Sequence, residues 1–192
     1  MEIKEYKYGD VRVYAGAISQ EGRQKREQER MAETAMLKQI LGEGVTLEHD
    51  EKGKPYLRGS ETNISISHSN HVLCFALSES EPAGIDVEEL HPRLERVSSM
   101  FLKPDELALL EGGGIPALAV CWSAKEAVYK LAGEAAGAMA EHVELDIQGV
   151  RNALKGNGES FAATVRGERY RLTIIELNEE YEIVLACKYI TK

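Results

Sequence analysis

Several protein classes are excluded by what this sequence lacks. Cysteine occurs only as Cys74, Cys121 and Cys187, an odd and widely spaced set in apolar stretches. Such a set reads as buried thiols, not as a zinc site or a disulfide framework. No apolar run is long enough to cross a bilayer, and the start, MEIKEYKYGD, has no apolar core of a signal peptide. The expectation is a cytoplasmic chain without a membrane partner. Basic residues are outnumbered, with 23 Lys and Arg against 32 Asp and Glu and a net charge of −9. A nucleic-acid binder needs a basic surface, so none is expected as partner. Aromatic residues are sparse at 6%, with a single tryptophan, yet 43% hydrophobic residues in a chain of 192 suffice for one domain or two small ones.

That tryptophan begins the most informative stretch, Trp122-Ser123-Ala124-Lys125-Glu126-Ala127-Val128-Tyr129-Lys130. Around it, Leu118, Cys121, Ala124, Val128 and Leu131 recur three or four apart, which predicts a helix over 116–131. Trp122, Glu126 and Lys130 follow at i, i+4 and i+8, so an acid stands one turn before a base on one stripe. Taken alone, this is an ordinary surface pair.

Upstream, Gly84-Ile85-Asp86-Val87-Glu88 reads as a strand. Alternation sends Ile85 and Val87 to one face and places the carboxylates of Asp86 and Glu88 side by side on the other. Paired carboxylates suit a hard divalent cation such as Mg²⁺, for which Glu126 is a third candidate ligand.

These blocks, together with Asn63-Ile64-Ser65-Ile66-Ser67-His68-Ser69, resemble the phosphopantetheinyl transferases of the surfactin-synthetase type in their short bacterial form. The resemblance spans roughly residues 10 to 190. It implies an α+β fold of two similar halves, 1–90 and 91–192, related by a pseudo-twofold with the active site in the cleft between them. One chain then supplies what smaller relatives make by oligomerising, which implies a monomer. The implied activity is Mg²⁺-dependent transfer of the phosphopantetheine arm of coenzyme A to a serine of an apo acyl or peptidyl carrier protein, releasing 3′,5′-ADP. By the same resemblance Asp86, Glu88 and Glu126 hold the metal, Lys125 and Lys130 offset the diphosphate charge, and Glu126 takes the serine proton. Lys54, Ser67 and His68 face the nucleotide and its phosphates, and Trp122 is a core residue.

Along the chain, 11–17 alternates as a strand, and a helix is expected over 20–41 with Gly42 as its stop. Arg23, Arg26 and Arg30 share one face of it, either a solvated face or a contact for phosphate or an acidic carrier helix. Gly53-Lys54-Pro55 marks a turn between short extended pieces, and 63–67 and 72–77 read as strands with His68 in the turn between them. Short helices are expected over 92–102 and 104–110, with Asp105 as a weak acidic candidate. Strands are expected over 143–147, 161–165, 170–177 and 181–189. Two departures from the family pattern stand out: Thr34 where an arginine is usual, and 133–139 where a glycine-rich Leu-Ser segment is usual. A Mg²⁺-dependent phosphohydrolase and a decayed binding module are the competing readings.

Overall fold

The computed structural model describes residues 1–18, 25–133, 139–156 and 160–189. It divides into two compact units, Met1–Ala83 and Gly84–Lys192. The division precedes the expected one after residue 90 because the strand carrying Asp86 joins the sheet of the second unit.

In the first unit, β1 (Ile3–Tyr8), β2 (Val11–Ala17), β5 (Asn63–His68) and β6 (Val72–Ser78) form an antiparallel sheet in the order β1-β2-β6-β5. The interior strand β6, VLCFALS, is buried at every position, whereas the edge strand β1 buries none of its side chains fully. Helix α1 (Lys25–Leu41) lays Met36 and Leu37 on Tyr14, Ile64, Leu73, Phe75 and Leu77. It stops at Gly42, whose φ of 84° lies in the left-handed region and whose N–H bonds the Lys38 carbonyl at 3.0 Å. The start expected for this helix, and Arg23 with it, lies outside the described residues. Strands β3 (Thr46–His49) and β4 (Pro55–Arg58) make a hairpin whose turn places Gly53 at φ 81°.

The second unit is a five-stranded sheet in the order β7-β11-β10-β9-β8, built from β7 (Ala83–Glu89), β8 (Val143–Leu145), β9 (Ser160–Val165), β10 (Glu168–Leu177) and β11 (Tyr181–Lys188). The mixed α/β composition agrees with the expected fold class. Between β7 and β8 run α2 (Arg93–Val97), a 3-10 turn (Ser98–Met100), α3 (Pro104–Leu109), α4 (Gly114–Ala132) and α5 (Met139–His142). Helix α4 packs Ala117, Val120, Cys121, Ala124 and Val128 into one core with Tyr170, Leu172, Val184 and Ala186 of the sheet. Trp122 is half-buried there, edge-on to Phe101 with ring centroids 5.1 Å apart. Two of the three thiols are buried, while Cys187 is partly exposed.

Two helices were not foreseen, the short α5 and a longer one after β8. Residue 147, expected to end a strand, instead begins α6 (Ile147–Leu154), with Ile147 and Val150 buried. Asp146 caps it by accepting the Gly149 N–H at 2.9 Å.

The contact that sets α4 against β7 is a glycine. A Cβ on Gly84 would lie 1.9 Å from the Ala127 carbonyl oxygen and 3.2 Å from Leu131 Cβ, so helix backbone rests directly on strand backbone there. We expect Gly84→Ala to lower the unfolding free energy by about 3 kcal/mol, because backbone and not a flexible side chain must move. Urea denaturation checks this, with Gly44→Ala as a control, since that glycine is not left-handed and nothing approaches it.

Candidate active site

Helix α4 delivers four functional side chains in two directions. At about 100° per residue, Ser123, Glu126 and Lys130 fall on one side and Lys125 on another. The first group faces β7. Lys130 Nζ donates to the Ile85 carbonyl at 3.0 Å and to Asp86 Oδ1 at 2.7 Å, a reach that the closeness of helix and strand at Gly84 permits. Asp86 and Glu88 are 5% and 7% exposed, on the face of β7 that alternation predicted for them. Glu88 accepts from Arg93 at 2.8 Å and from its neighbour's amide, Glu89 N–H, at 2.9 Å. Glu126 is half-buried, and its carboxyl is held above the ordinary range, first by burial and then by the Asp86 charge, with Lys130 opposing and Glu88 adding. Asp86, Glu88, Glu126 and Lys130 therefore act on one another as one electrostatic group.

Lys125 does not join them. It is fully buried, and its Nζ donates to Glu106 Oε2 at 2.7 Å. Burial pulls the pKa of this lysine down, with the Glu106 pair opposing that shift. Glu106 also accepts from Lys103 N–H at 2.9 Å and Leu145 N–H at 3.1 Å, tying α3, α4 and β8 together. Lys125, expected to offset diphosphate charge, here has its ammonium inside the unit on Glu106. The relevant acid of α3 is Glu106, not the neighbouring Asp105. Pro104 at the first helical position puts Glu106 at the third, where a side chain reaches back to the capping amide, so the sequence did carry a signal for it.

A second acid was missed. Glu182, on β11 next to β7 in the sheet, is fully buried, and among the described residues neither carboxyl oxygen has a hydrogen-bond partner at ordinary distance. The Ser123 hydroxyl, also fully buried, has no partner at ordinary distance among the described residues either, and Glu182 is the acid it acts on. Burial drives the Glu182 carboxyl well above its ordinary value of 4.5, Asp86 and Glu88 add to this, and Ser123 pulls the other way. The sequence hint was an acid inside the apolar run Tyr181-Glu182-Ile183-Val184-Leu185.

In the first unit, Ser67 is buried and His68 exposed at the end of β5, while Lys54 is exposed on the β3–β4 turn. His68 Nδ1 lies 3.4 Å from Glu29 Oε1, and burial raises the pKa of nearby Glu33 against the pull of His68 and His49. Arg26 and Arg30 are exposed on α1, and Thr34 Oγ1 bonds back to the Arg30 carbonyl at 2.8 Å. The segment 134–138, where the sequence departs from the family pattern, lies outside the described residues.

The carboxylates of Asp86, Glu88 and Glu126 are hard oxygen donors and fit a divalent cation in kind. Among the described residues no group of three His, Cys, Asp or Glu side chains is arranged to hold a metal ion, and Asp86 and Glu88 each carry a basic partner. Nor is any helix among these residues long and apolar enough to cross a membrane.

Residues 82–184, which contain every member of this group, match the family model of the 4′-phosphopantetheinyl transferase superfamily. The chain belongs to that superfamily. It is also similar to a 4′-phosphopantetheinyl transferase of Bacillus subtilis, 30% identical over 96 residues that cover 47% of this chain and 42% of that protein. The chain therefore matches less than half the length of this curated relative. In this member of the superfamily, the motifs around Asp86 and Lys130 lie where the backbone of α4 comes against the backbone of β7.

Two outcomes follow for the buried ionisable groups. Lys125→Met should cost about 3–5 kcal/mol by leaving Glu106 buried without its cation, and Lys125→Met with Glu106→Gln should recover most of that loss in urea denaturation. For Glu182, the native state keeps a proton that the unfolded chain releases above pH 4.5, so this group makes wild-type stability fall as pH rises. Glu182→Gln removes that dependence. In metal-free melts from pH 5 to 8 the variant should therefore gain on wild type with rising pH, by up to about 1.4 kcal/mol per unit until the native carboxyl ionises.

Proposed function

We propose that the chain transfers the 4′-phosphopantetheine group of coenzyme A to a serine of an apo acyl or peptidyl carrier protein, releasing 3′,5′-ADP, as a holo-acyl-carrier-protein synthase of the surfactin-synthetase-activating type. The observation that carries this reading is the Asp86–Lys130 pair at 2.7 Å, flanked by Glu88 and Glu126. Phosphoryl transfer needs charge neutralisation, positioning and a proton acceptor more than it needs covalent chemistry. A base and several carboxylates at one place on a rigid helix and strand meet that need.

Asp86, Glu88 and Glu126 would hold Mg²⁺, which when bound supplies positive charge against the diphosphate oxygens. Lys130, already oriented by Ile85 and Asp86, offsets charge on the diphosphate and on the leaving nucleotide. Glu126 accepts the proton of the carrier serine as its oxygen bonds to the phosphorus bearing pantetheine and the bond to the ADP oxygen breaks. In the first unit we assign Lys54, Ser67 and His68 to the nucleotide and its phosphates. His68 exchanges its Glu29 contact for a phosphate oxygen, which an imidazole can serve as donor. A cytoplasmic monomer is the setting of this reading.

Intact-protein mass spectrometry of an apo carrier protein with coenzyme A and Mg²⁺ tests it. The expected result is a gain of one phosphopantetheine, lost with EDTA and reduced at least about 1,000-fold in rate by Asp86→Asn or Glu126→Gln with the fold retained. Release of ADP without a protein acceptor would reassign the chain as a phosphohydrolase. Wild-type rates in both variants would remove this site from the mechanism.

A further inference from the structure

The two carboxylates of β7 each carry a base, and the two pairs are built alike. Asp86 and Glu88 are buried, whereas the side chains of their partners Lys130 and Arg93 are 28% and 56% exposed. In both pairs the acid lies inside and the base outside. The Lys125–Glu106 pair is the contrast, for both of its members are buried and no solvent reaches the ammonium. A pair that only holds the fold closes on itself in that way.

Arg93 lies outside the sequence motifs, yet its place is fixed as closely as theirs. The chain leaves the sheet at Leu90, whose N–H bonds the Glu180 carbonyl at 2.8 Å. The Arg93 N–H bonds His91 Nδ1 at 3.1 Å, and Leu94 beside it is buried in the core shared with α4. The guanidinium then reaches back to give an N–H to Glu88 Oε1 at 2.8 Å. A guanidinium has five N–H donors, and more than half of this side chain is open to solvent. Lys130 gives its hydrogens to the Ile85 carbonyl and Asp86 Oδ1 and has a third to offer. Asp86 and Glu88 stand two residues apart on one face of β7, about 6.5 Å along the strand, so their bases are presented side by side. What solvent meets there is an ammonium and a guanidinium, each held by a buried carboxylate.

We propose that Arg93 contacts the substrate directly, its guanidinium and the Lys130 ammonium receiving the diphosphate of coenzyme A side by side. The inference rests on the transferase reading of the preceding section and adds to it a residue from outside the motifs. No metal ion enters it. A diphosphate is two linked phosphoryl groups, and two cations at neighbouring positions match it where a lone lysine would face only one. Arginine suits the second place because its planar fork offers paired N–H groups to phosphate oxygens, which an ammonium does not.

Titration calorimetry of the whole chain tests this with two ligands, coenzyme A and adenosine 3′-phosphate, which lacks the diphosphate. The buffer contains EDTA, or Mg²⁺ should wild type bind only there. Arg93→Gln should weaken coenzyme A about 10- to 100-fold and leave adenosine 3′-phosphate within about twofold of wild type. Its urea midpoint should stay near that of wild type, since glutamine keeps an N–H for Glu88. Arg93→Lys, which keeps the charge but not the fork, should weaken coenzyme A several-fold. Coenzyme A affinity within about twofold of wild type in Arg93→Gln, or equal losses for both ligands, overturns this proposal alone. Wild type that binds no coenzyme A in either buffer overturns the transferase reading together with it. Should Arg93→Gln fail to fold, Arg93→Lys decides, and wild-type affinity for coenzyme A in that variant overturns the proposal.

Discussion

The second unit depends on how closely helix α4 rests on strand β7. With hydrogen as the only side chain at Gly84, the Ala127 carbonyl comes to a distance that no other residue type allows. Everything chemical in the unit is arranged from that contact. The next turn of α4 places Lys130 on the Ile85 carbonyl and the Asp86 carboxylate, and the preceding turns aim Glu126 and Ser123 at the same region. Side-chain packing alone would hold a helix about 10 Å from a sheet and leave a lysine a choice of orientations. Backbone on backbone fixes one.

The two lysines of the helix show how position, and not residue type, divides labour. Lys125 and Lys130 are five residues apart, about 140° around the helix. The first points into the unit and donates to Glu106, which two backbone amides hold in turn, and the second points along β7 with more than a quarter of its side chain exposed. Buried pairs of the first kind contribute little net stability over an apolar core but cannot lose one member cheaply. They fix geometry. The half-open pair at Asp86 is the one whose charge remains accessible.

Local patterns decided how much could be read in advance. The strands over 11–17, 63–67, 72–77 and 84–88 and the helix around Trp122 followed from periodicity, and the stop at Gly42 from its conformational freedom. Helix α6 was lost because Val143-Glu144-Leu145-Asp146-Ile147 alternates like a strand, and the cap at Asp146 falls inside that alternation. Strand β1 was lost because an exposed edge strand, IKEYKY, has little apolar signal to offer. At the site, Asp86, Glu88, Glu126 and Lys130 could be named because strand alternation and helix spacing determine which side chains share a face. The burial of Lys125 could not, since a helical wheel does not tell which of two polar stripes meets an acid from a distant helix. Glu106 and Glu182 are tertiary in the same sense, and their neighbours lie far away in sequence.

Lys130 carries a consequence in entropy. A lysine free in solvent gives up about 2 kcal/mol of rotamer freedom when a ligand immobilises it. Here two of the three ammonium hydrogens already point at Ile85 and Asp86, so folding has removed that freedom before any anion arrives. An anion that takes the third hydrogen meets a cation that is already still, and its binding free energy is spared the cost of ordering it.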